Sequence, residues 1–300
     1  MQQRAFGRTG MSVSVLGFGG SEIGYENADD AAVSRLLYAA LDAGLNVIDT
    51  AECYMDSEEK IGRAVSHRRG DFFLFTKVGH EHGWGRDDWS PASIARSIDR
   101  SLKRLRTDCV DLLQLHSCSA DVIARGDATA ALEKAKAAGK TRFIGYSGDS
   151  TDALEAVRTS RFDTLQISIS IADQEAIDLV LPEAAKRGMG VIAKRPIANA
   201  AWRHAKRPAG EYGEEYWRRL TELKYAFATP GNPAPDAAAI ALRFTLTVPG
   251  VHTAIVGTKN PDRWAQNAAA VKAGALTKAE YEAIRARWRA VARRDWVGQV

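Results

Sequence analysis

Apolar runs of strand length alternate along this chain with segments whose apolar residues recur every three to four positions, the periods that separate strands from amphipathic helices. Val33, Leu36, Leu37, Ala40 and Leu41 mark one helical face that stops at Gly44, where glycine suits a left-handed cap. NVIDT follows at once as a strand. SEEKIGRAV then reads as helix and FFLFTK as strand, and Ser90 with Pro91 opens a helix whose Ile94, Ile98, Leu102 and Leu105 fall on one stripe. VDLLQLH is extended, a helix closed by Gly139 leads into the strand TRFIGYS, and a Ser150–Thr151 cap opens the helix that carries Leu154 and Val157. TLQISIS is the next strand. The spacing then predicts a helix over 176–186, the strand GVIAKRP, a helix in DAAAIALRF and a closing strand in HTAIVGT.

The opening RAFGRTGMSVSVL reads as a short hairpin with its turn near Thr9 and Gly10, running into a strand that ends at GFGG. Eight strands separated by helices predict an α/β fold, a (β/α)₈ TIM barrel with an N-terminal β-hairpin and a C-terminal helix. A doubly wound open sheet is the alternative. The 300 residues match the length of one such barrel, so a single domain over 1–300 is expected. The stretch at about 199–235, with its polar, helix-like EEYWRRLTELKYAF, is too long for a tight αβ turn and reads as an insertion at the mouth. Thr277 and Glu280 form a capping box for the last helix, which turns Tyr281, Ile284, Trp288 and Val291 inward.

Apolar content of 45% and charged content of 26% are those of an ordinary globular protein and exclude a disordered chain. A net charge of +4 asks for no polyanionic partner, so no nucleic acid is expected. The start, MQQRAFGRTG, lacks the apolar stretch of a secretion signal, and no run approaches transmembrane length. A cytoplasmic protein without a membrane partner is expected, as a monomer or weak homo-oligomer. Cys53, Cys109 and Cys118 are odd in number with no CxxC spacing, and read as reduced thiols. His116 with Cys118, and His80 with His82, have the spacing of paired metal ligands, but without a third and fourth ligand no metal site is expected. The arginine-rich RARWRAVARRDW reads as the solvated face of the last helix.

Three of the predicted strands break off at groups able to carry a proton. NVIDTAECY places Asp49 and Tyr54, FFLFTK places Lys77, and VDLLQLH places His116. In a closed parallel barrel every strand's carboxyl end opens onto one face, so the four groups converge on one mouth. A phenol with a reference pKa of about 10 is a poor acid near neutral pH. A lysine ammonium a few ångströms away favours tyrosinate and is expected to bring that value down, while an aspartate beside the lysine keeps it charged. Asp49, Lys77 and Tyr54 thus form a chain that lets Tyr54 give or take a proton at a substrate oxygen, and His116 is placed to hydrogen-bond the same oxygen.

On these residues the chain resembles the aldo-keto reductase family, whose signature is this Asp, Tyr, Lys and His set on a (β/α)₈ barrel. The likeness extends over nearly the whole chain through LGFGG, NVIDTAECY with SEEKIGRAV behind it, FTK, DLLQLH, the serine of GYSGD, Gln166 in TLQIS and the closing IVGTKNPDRWAQN. It implies NADP(H)-dependent reduction of an aldehyde or ketone to an alcohol, or the reverse, on a small carbonyl or alcohol substrate. It gives Asp49, Tyr54, Lys77 and His116 the catalytic roles, with the proton coming from Tyr54. By the same resemblance Ser147 and Gln166 hold the carboxamide, Gly257, Thr258, Lys259 and Arg263 surround a 2′-phosphate, and Gln266 and Asn267 lie near the adenine. Gly19, Gly20, Asp49, Lys194 and Ile197 complete the cofactor contacts it implies. Independently of the family, Thr258, Lys259 and Arg263 bring a hydroxyl and two cations to the first residues after a terminal strand, a good phosphate site that favours NADPH over NADH. The chain departs from the family pattern twice. Relatives commonly stack an aromatic residue on the nicotinamide at the end of the seventh strand, where Lys194 stands here, and Gly148 with Asp149 replaces the usual asparagine after Ser147.

GFGG is not a Rossmann fingerprint, since Glu22 stands where the third glycine belongs. Gly17, Gly19 and Gly20 are expected instead to let backbone approach a ligand at the mouth. The loop GHEHGWGRDDW, with His80, His82, Trp84 and Trp89, either walls the substrate pocket or is solvated. Two rival functions stand beside the principal one: a non-catalytic NADP(H)-sensing regulatory protein, as some members of the resembling family are, and an aldolase forming a Schiff base on Lys77.

Overall fold

A strand buried on both faces reads as a continuous apolar run, and eight such runs close here into one parallel barrel. The structure, a computed structural model, describes residues 1–299. The chain starts with the antiparallel pair β1 (Gln3–Ala5) and β2 (Ser12–Ser14), joined by a 3₁₀ turn at Gly7–Thr9 and by Gly10 in the left-handed conformation. The barrel strands follow as β3 (Leu16–Gly19), β4 (Val47–Asp49), β5 (Phe73–Val78), β6 (Val110–His116), β7 (Thr141–Ser147), β8 (Thr164–Ser168), β9 (Gly190–Lys194) and β10 (Thr253–Gly257). They pair in chain order, and β10 bonds both β9 and β3. That closure rules out the doubly wound sheet. Phe6, Met11 and Val13 of the hairpin meet Val47, Phe75, Leu112, Ile192 and Ile255 inside the cylinder, with Phe6 stacked on Phe75 at 5.8 Å. The hairpin is an apolar plug that dries the barrel floor.

The helices form the outer layer. They run α1 (Ser21–Tyr25), α2 (Asp30–Asp42), α3 (Ser57–Val65), α4 (Pro91–Leu105), α5 (Ala120–Arg125), α6 (Asp127–Ala137), α7 (Ser150–Arg158), α8 (Glu175–Leu179), α9 (Leu181–Lys186), α10 (Glu214–Leu223), α11 (Ala237–Thr247), α12 (Pro261–Lys272) and α13 (Lys278–Val291). Local signals behave as their chemistry requires at several ends: Ser90 Oγ accepts from the Ser93 amide, and Thr277 with Glu280 closes a complete capping box. Ile284 and Trp288 of α13 are buried, and Tyr281 and Val291 pack half-buried beside them. Among the described residues no helix is long and apolar enough to cross a membrane.

Two local expectations are corrected. The helix predicted over 176–186 is two helices, because Pro182 in the first turn of α9 has no amide hydrogen to continue α8, while Val180 between them stays in the right-handed helical region. The Ser150–Thr151 cap does not form: Ser150 is already in α7, and its hydroxyl donates to Glu175. Asp149 stands at the cap position, but its carboxylate is engaged by the Ser168 amide and Lys194 instead. The segment after β9 holds a 3₁₀ stretch at Ala198–Arg203 and α10, whose Tyr216 hydroxyl donates to Asp173 beyond the carboxyl end of β8.

Helix α1 lies so close on the turn after β4 that a Cβ on Gly24 would stand 2.1 Å from the Tyr54 carbonyl oxygen. Gly24→Ala is therefore expected to cost about 1–3 kcal/mol of stability and to lower activity by displacing Tyr54. Urea denaturation beside a turnover assay checks this, and an unchanged midpoint would show that α1 yields freely.

Candidate active site

Side chains at alternate strand positions point into a barrel, so a polar residue two places beyond an inward apolar one lies one layer higher. Val47 is thus followed by Asp49, Phe75 by Lys77, and Leu112 by Gln114 and then His116. The polar layer sits on the dry plug. His116, Ser147 and Gln166 continue it as register partners across β6 to β8, and the plug residue Ile192 ends the row on β9.

Lys77 and Asp49 are fully buried, and Lys77 Nζ donates to Asp49 Oδ2 at 2.5 Å and to the Thr50 carbonyl at 2.8 Å. The side-chain amides of Gln114 and Gln166 each reach the same carboxylate at 3.4 Å and bond one another at 2.9 Å. Burial pushes the Asp49 carboxyl up, and the ammonium and the two amides oppose it. Motif reading passed over Gln114, although counting back two residues from His116 reaches it.

Tyr54 sits in the turn between β4 and α3, with Lys77 Nζ 5.0 Å from its ring centre and the His116 ring edge-on at 5.6 Å. The four groups predicted to converge are adjacent. The expected lowering of the Tyr54 pKa is corrected: burial pushes the phenol well above 10, and the Asp49 charge pushes the same way. Lys77 is already matched by Asp49, so little of its field is left to favour tyrosinate. Tyr54 holds its proton. Burial first, and the Lys77 charge next, hold His116 well below the ordinary histidine range, which makes it a neutral imidazole at pH 7.

The loop after β5 walls this mouth. His80 Nε2 lies 2.7 Å from the His116 carbonyl oxygen and Nδ1 lies 2.5 Å from Asp87 Oδ1. Trp84 stacks on His80 at 4.2 Å and meets the His116 ring at 5.2 Å, while His82 faces solvent. Buried Glu52 accepts from the amides of Gly79 and His80 at 2.6 and 2.9 Å and from Arg100 at 2.5 Å, fixing the loop's root. Among the described residues no three His, Cys, Asp or Glu side chains converge as metal ligands.

The residues expected to touch a cofactor spread along the rim. The Ser147 hydroxyl is buried without a partner beside Gln166. Lys194 pairs with Asp149 at 2.7 Å, and Ile197 is half-buried beyond it. At Gly20 the space a side chain would take is filled by Ser57 Oγ at 2.8 Å and the Asp49 carbonyl at 3.0 Å, so packing alone calls for glycine there. Gly17 likewise meets Val47 and Ile255, and Gly19 meets the Gly257 amide at 3.3 Å, so these glycines serve strand packing. The carboxyl of Glu22 lies directly over Gly257, and burial pushes it up. In the turn that follows, Thr258 Oγ1 accepts from the Asn260 amide at 3.0 Å and Lys259 pairs with Glu26 at 2.9 Å. Arg263 and Gln266 are exposed on α12, and Asn267 is half-buried.

A (β/α)₈ barrel that gathers a protonated phenol, a neutral imidazole and a buried ion pair at its carboxyl end has the groups that proton transfer at a bound oxygen requires. This chain belongs to the Aldo/keto reductase family, an oxidoreductase family whose model matches residues 15–289. It is 32% identical to L-galactose dehydrogenase of Arabidopsis thaliana over 90% of this chain and 88% of that one. Among solved structures it is similar to the holo form of an aldo-keto reductase from Bacillus halodurans, with a TM-score of 0.84 at 29% identity over 99% of both chains. An aldo/keto reductase from Klebsiella pneumoniae, solved with NADP and acetate, gives 0.76 at 27% identity, again over 99% of both.

Removing one member of a buried pair strands the other charge, so Lys77→Met is expected to cost about 3–5 kcal/mol, measured by chemical denaturation. A loss below about 1 kcal/mol would place the pair in water. His116 gives a second expectation. Its folded pKa lies below the unfolded value of about 6.5, so its contribution to stability is present above that pH and is lost as the pH falls below it. Its ring resonances should stay flat from about pH 8 to about pH 6 in an NMR titration.

Proposed function

We propose that this chain is an NADP(H)-dependent reductase of a small aldehyde or ketone, able to run in reverse on the alcohol, with Tyr54 as the proton donor. The observation that carries this reading is a half-buried phenol held protonated between Lys77 and His116 at the barrel mouth. The residues present fit the cofactor. Ser147 offers a buried hydroxyl without a partner, beside Gln166, to a carboxamide, and Lys259 and Arg263 offer two cations to a 2′-phosphate. Gly257 and Thr258 border that phosphate, Gln266 and Asn267 border the adenine, and Lys194 and Ile197 border the nicotinamide. The Klebsiella relative, solved with NADP, supports the choice. When bound, NADPH supplies the hydride that the carbonyl carbon takes up.

The chain's own groups handle the oxygen. Neutral His116 hydrogen-bonds the carbonyl oxygen and sets its angle, a role that does not require it to lose a proton. As negative charge builds on that oxygen, Tyr54 passes it the phenolic proton. The tyrosinate left behind faces the Lys77 ammonium, 5.0 Å from the ring centre, which Asp49, Gln114 and Gln166 hold in place, and water at the mouth returns the proton. Trp84, half exposed beside His116, presents a flat wall to the substrate. The Arabidopsis relative supports a hydroxylated, sugar-like carbonyl compound in that place. Lys77 suits no imine, because its nitrogen is fully buried and bonded to two oxygens.

Tyr54→Phe is expected to lower kcat by about 10²–10⁴-fold while fluorescence titration with NADPH gives a nearly unchanged Kd. A phenylalanine variant with full rate would remove Tyr54 from the reaction. Tight NADPH binding by the native protein with no turnover across a carbonyl panel would point to the sensor reading.

A further inference from the structure

We infer that Lys194 makes this mouth hold the reduced, neutral nicotinamide in preference to the oxidised, cationic one. The inference rests on the reading that NADP(H) occupies the mouth, and extends it by assigning the residue that sets which redox form is favoured.

Lys194 ends β9 two residues beyond Ile192, a member of the barrel plug, so its side chain leaves the strand on the inner side one layer higher. It is the register partner of Ser168 and stands just above the row of His116, Ser147 and Gln166. Its ammonium lies 2.7 Å from Asp149 Oδ2, and the two members of this pair are not equivalent. The Asp149 side chain is 1% exposed, with Oδ1 tied to the Ser168 amide at 2.7 Å and Gly298 lying against it so closely that a Cβ there would stand 2.6 Å from the Asp149 Cβ. The Lys194 side chain keeps 12% exposure and is the member that faces the opening.

Asp149 matches only one of two cations, since Arg195 Nη1 lies 3.7 Å from the same Oδ2, so the group of Lys194, Arg195 and Asp149 keeps one positive charge. Asp49 is matched by Lys77, Arg195 bonds Ser168 Oγ at 2.7 Å, and Asp173 and Glu175 accept from the amides of Gln299 and Gly298. Burial brings Lys194 down to about 8 while Asp149 opposes the fall, so it carries its proton at pH 7. Its charge reaches across the mouth, since Lys194 and Arg195 both act against protonation of His116.

Giving up a hydride turns a neutral dihydronicotinamide into a cation. A fixed ammonium in the same water-poor mouth stabilises the neutral form relative to the charged one, whereas the π face of an aromatic residue at this position would favour the cation. The two nucleotides share their adenosine and phosphates, so the ratio of their affinities isolates the charge of the ring. The expected consequence is a site that loads NADPH and releases NADP⁺ readily, while the same field opposes the loss of hydride from the bound ring by the same factor.

The test is a titration of the full chain with NADPH and with NADP⁺, followed by calorimetry or tryptophan fluorescence at pH 7 and independent of turnover. Native protein should favour NADPH by about tenfold or more, Lys194→Met and the more conservative Lys194→Gln should bring the ratio close to one, and Lys194→Arg should retain it. Neutral variants that bind both nucleotides with the native ratio overturn the inference and leave the functional reading standing. A native protein that binds neither nucleotide overturns both.

Discussion

The ion pair between Lys77 and Asp49 is the constraint on which the mouth depends. Two charges removed from water are tolerable only if their remaining hydrogen-bonding capacity is met, and here Thr50, Gln114 and Gln166 meet it. Those partners come from the ends of β4, β6 and β8, so satisfying one pair ties the polar tips of four strands to a common register. The apolar plug beneath keeps water out from below and strengthens every interaction above it. Loss of water first, and the Asp49 charge next, keep the proton on Tyr54, which suits an acid that acts only when charge appears on a bound oxygen.

A second set of buried polar groups lies just outside the barrel and holds the loops that complete the mouth. Glu52 gathers two amides at the root of the loop after β5 together with Arg100 of α4, and Trp84 of that loop is delivered to His116. On the opposite side, Arg219 of α10 donates to the carbonyls of Ala172 and Val297, and Asp173 accepts from Tyr216 and from the Gln299 amide. Burial brings Asp173 up to about 7 against the pull of Arg219, so this anchor lies close to its own titration. Loops pinned by buried charge at their roots keep their shape while their tips stay open to a substrate.

The rim carries more charge than the family pattern leads one to expect. By the family resemblance Lys194 stands where relatives commonly have an aromatic ring and Gly148 follows Ser147 in place of an amide, and Lys194 pairs with Asp149 to link the ends of β7 and β9 across Ser168 of β8. This exchanges a stacking surface for a local field, and in a chemistry that changes the charge of a ring the field is the more selective of the two.

The sequence by itself determined the eight strands, most helix ends and the four proton-carrying residues, because periodicity, capping and strand ends are properties of neighbours along the chain. It did not determine what those residues would be charged with or against. Ser150 failed as a cap because Asp149 had partners nineteen residues and more away, and the close packing of Ser57 and Asp49 on Gly20 joins residues far apart in the chain. The phenol of Tyr54 was expected to become more acidic beside a lysine and instead became less so. Only the closed barrel brought Asp49 against Lys77, buried that pair and set Tyr54 half-buried beside it, and proton affinity depends on distances in space and on the loss of water, neither of which is written in the order of residues.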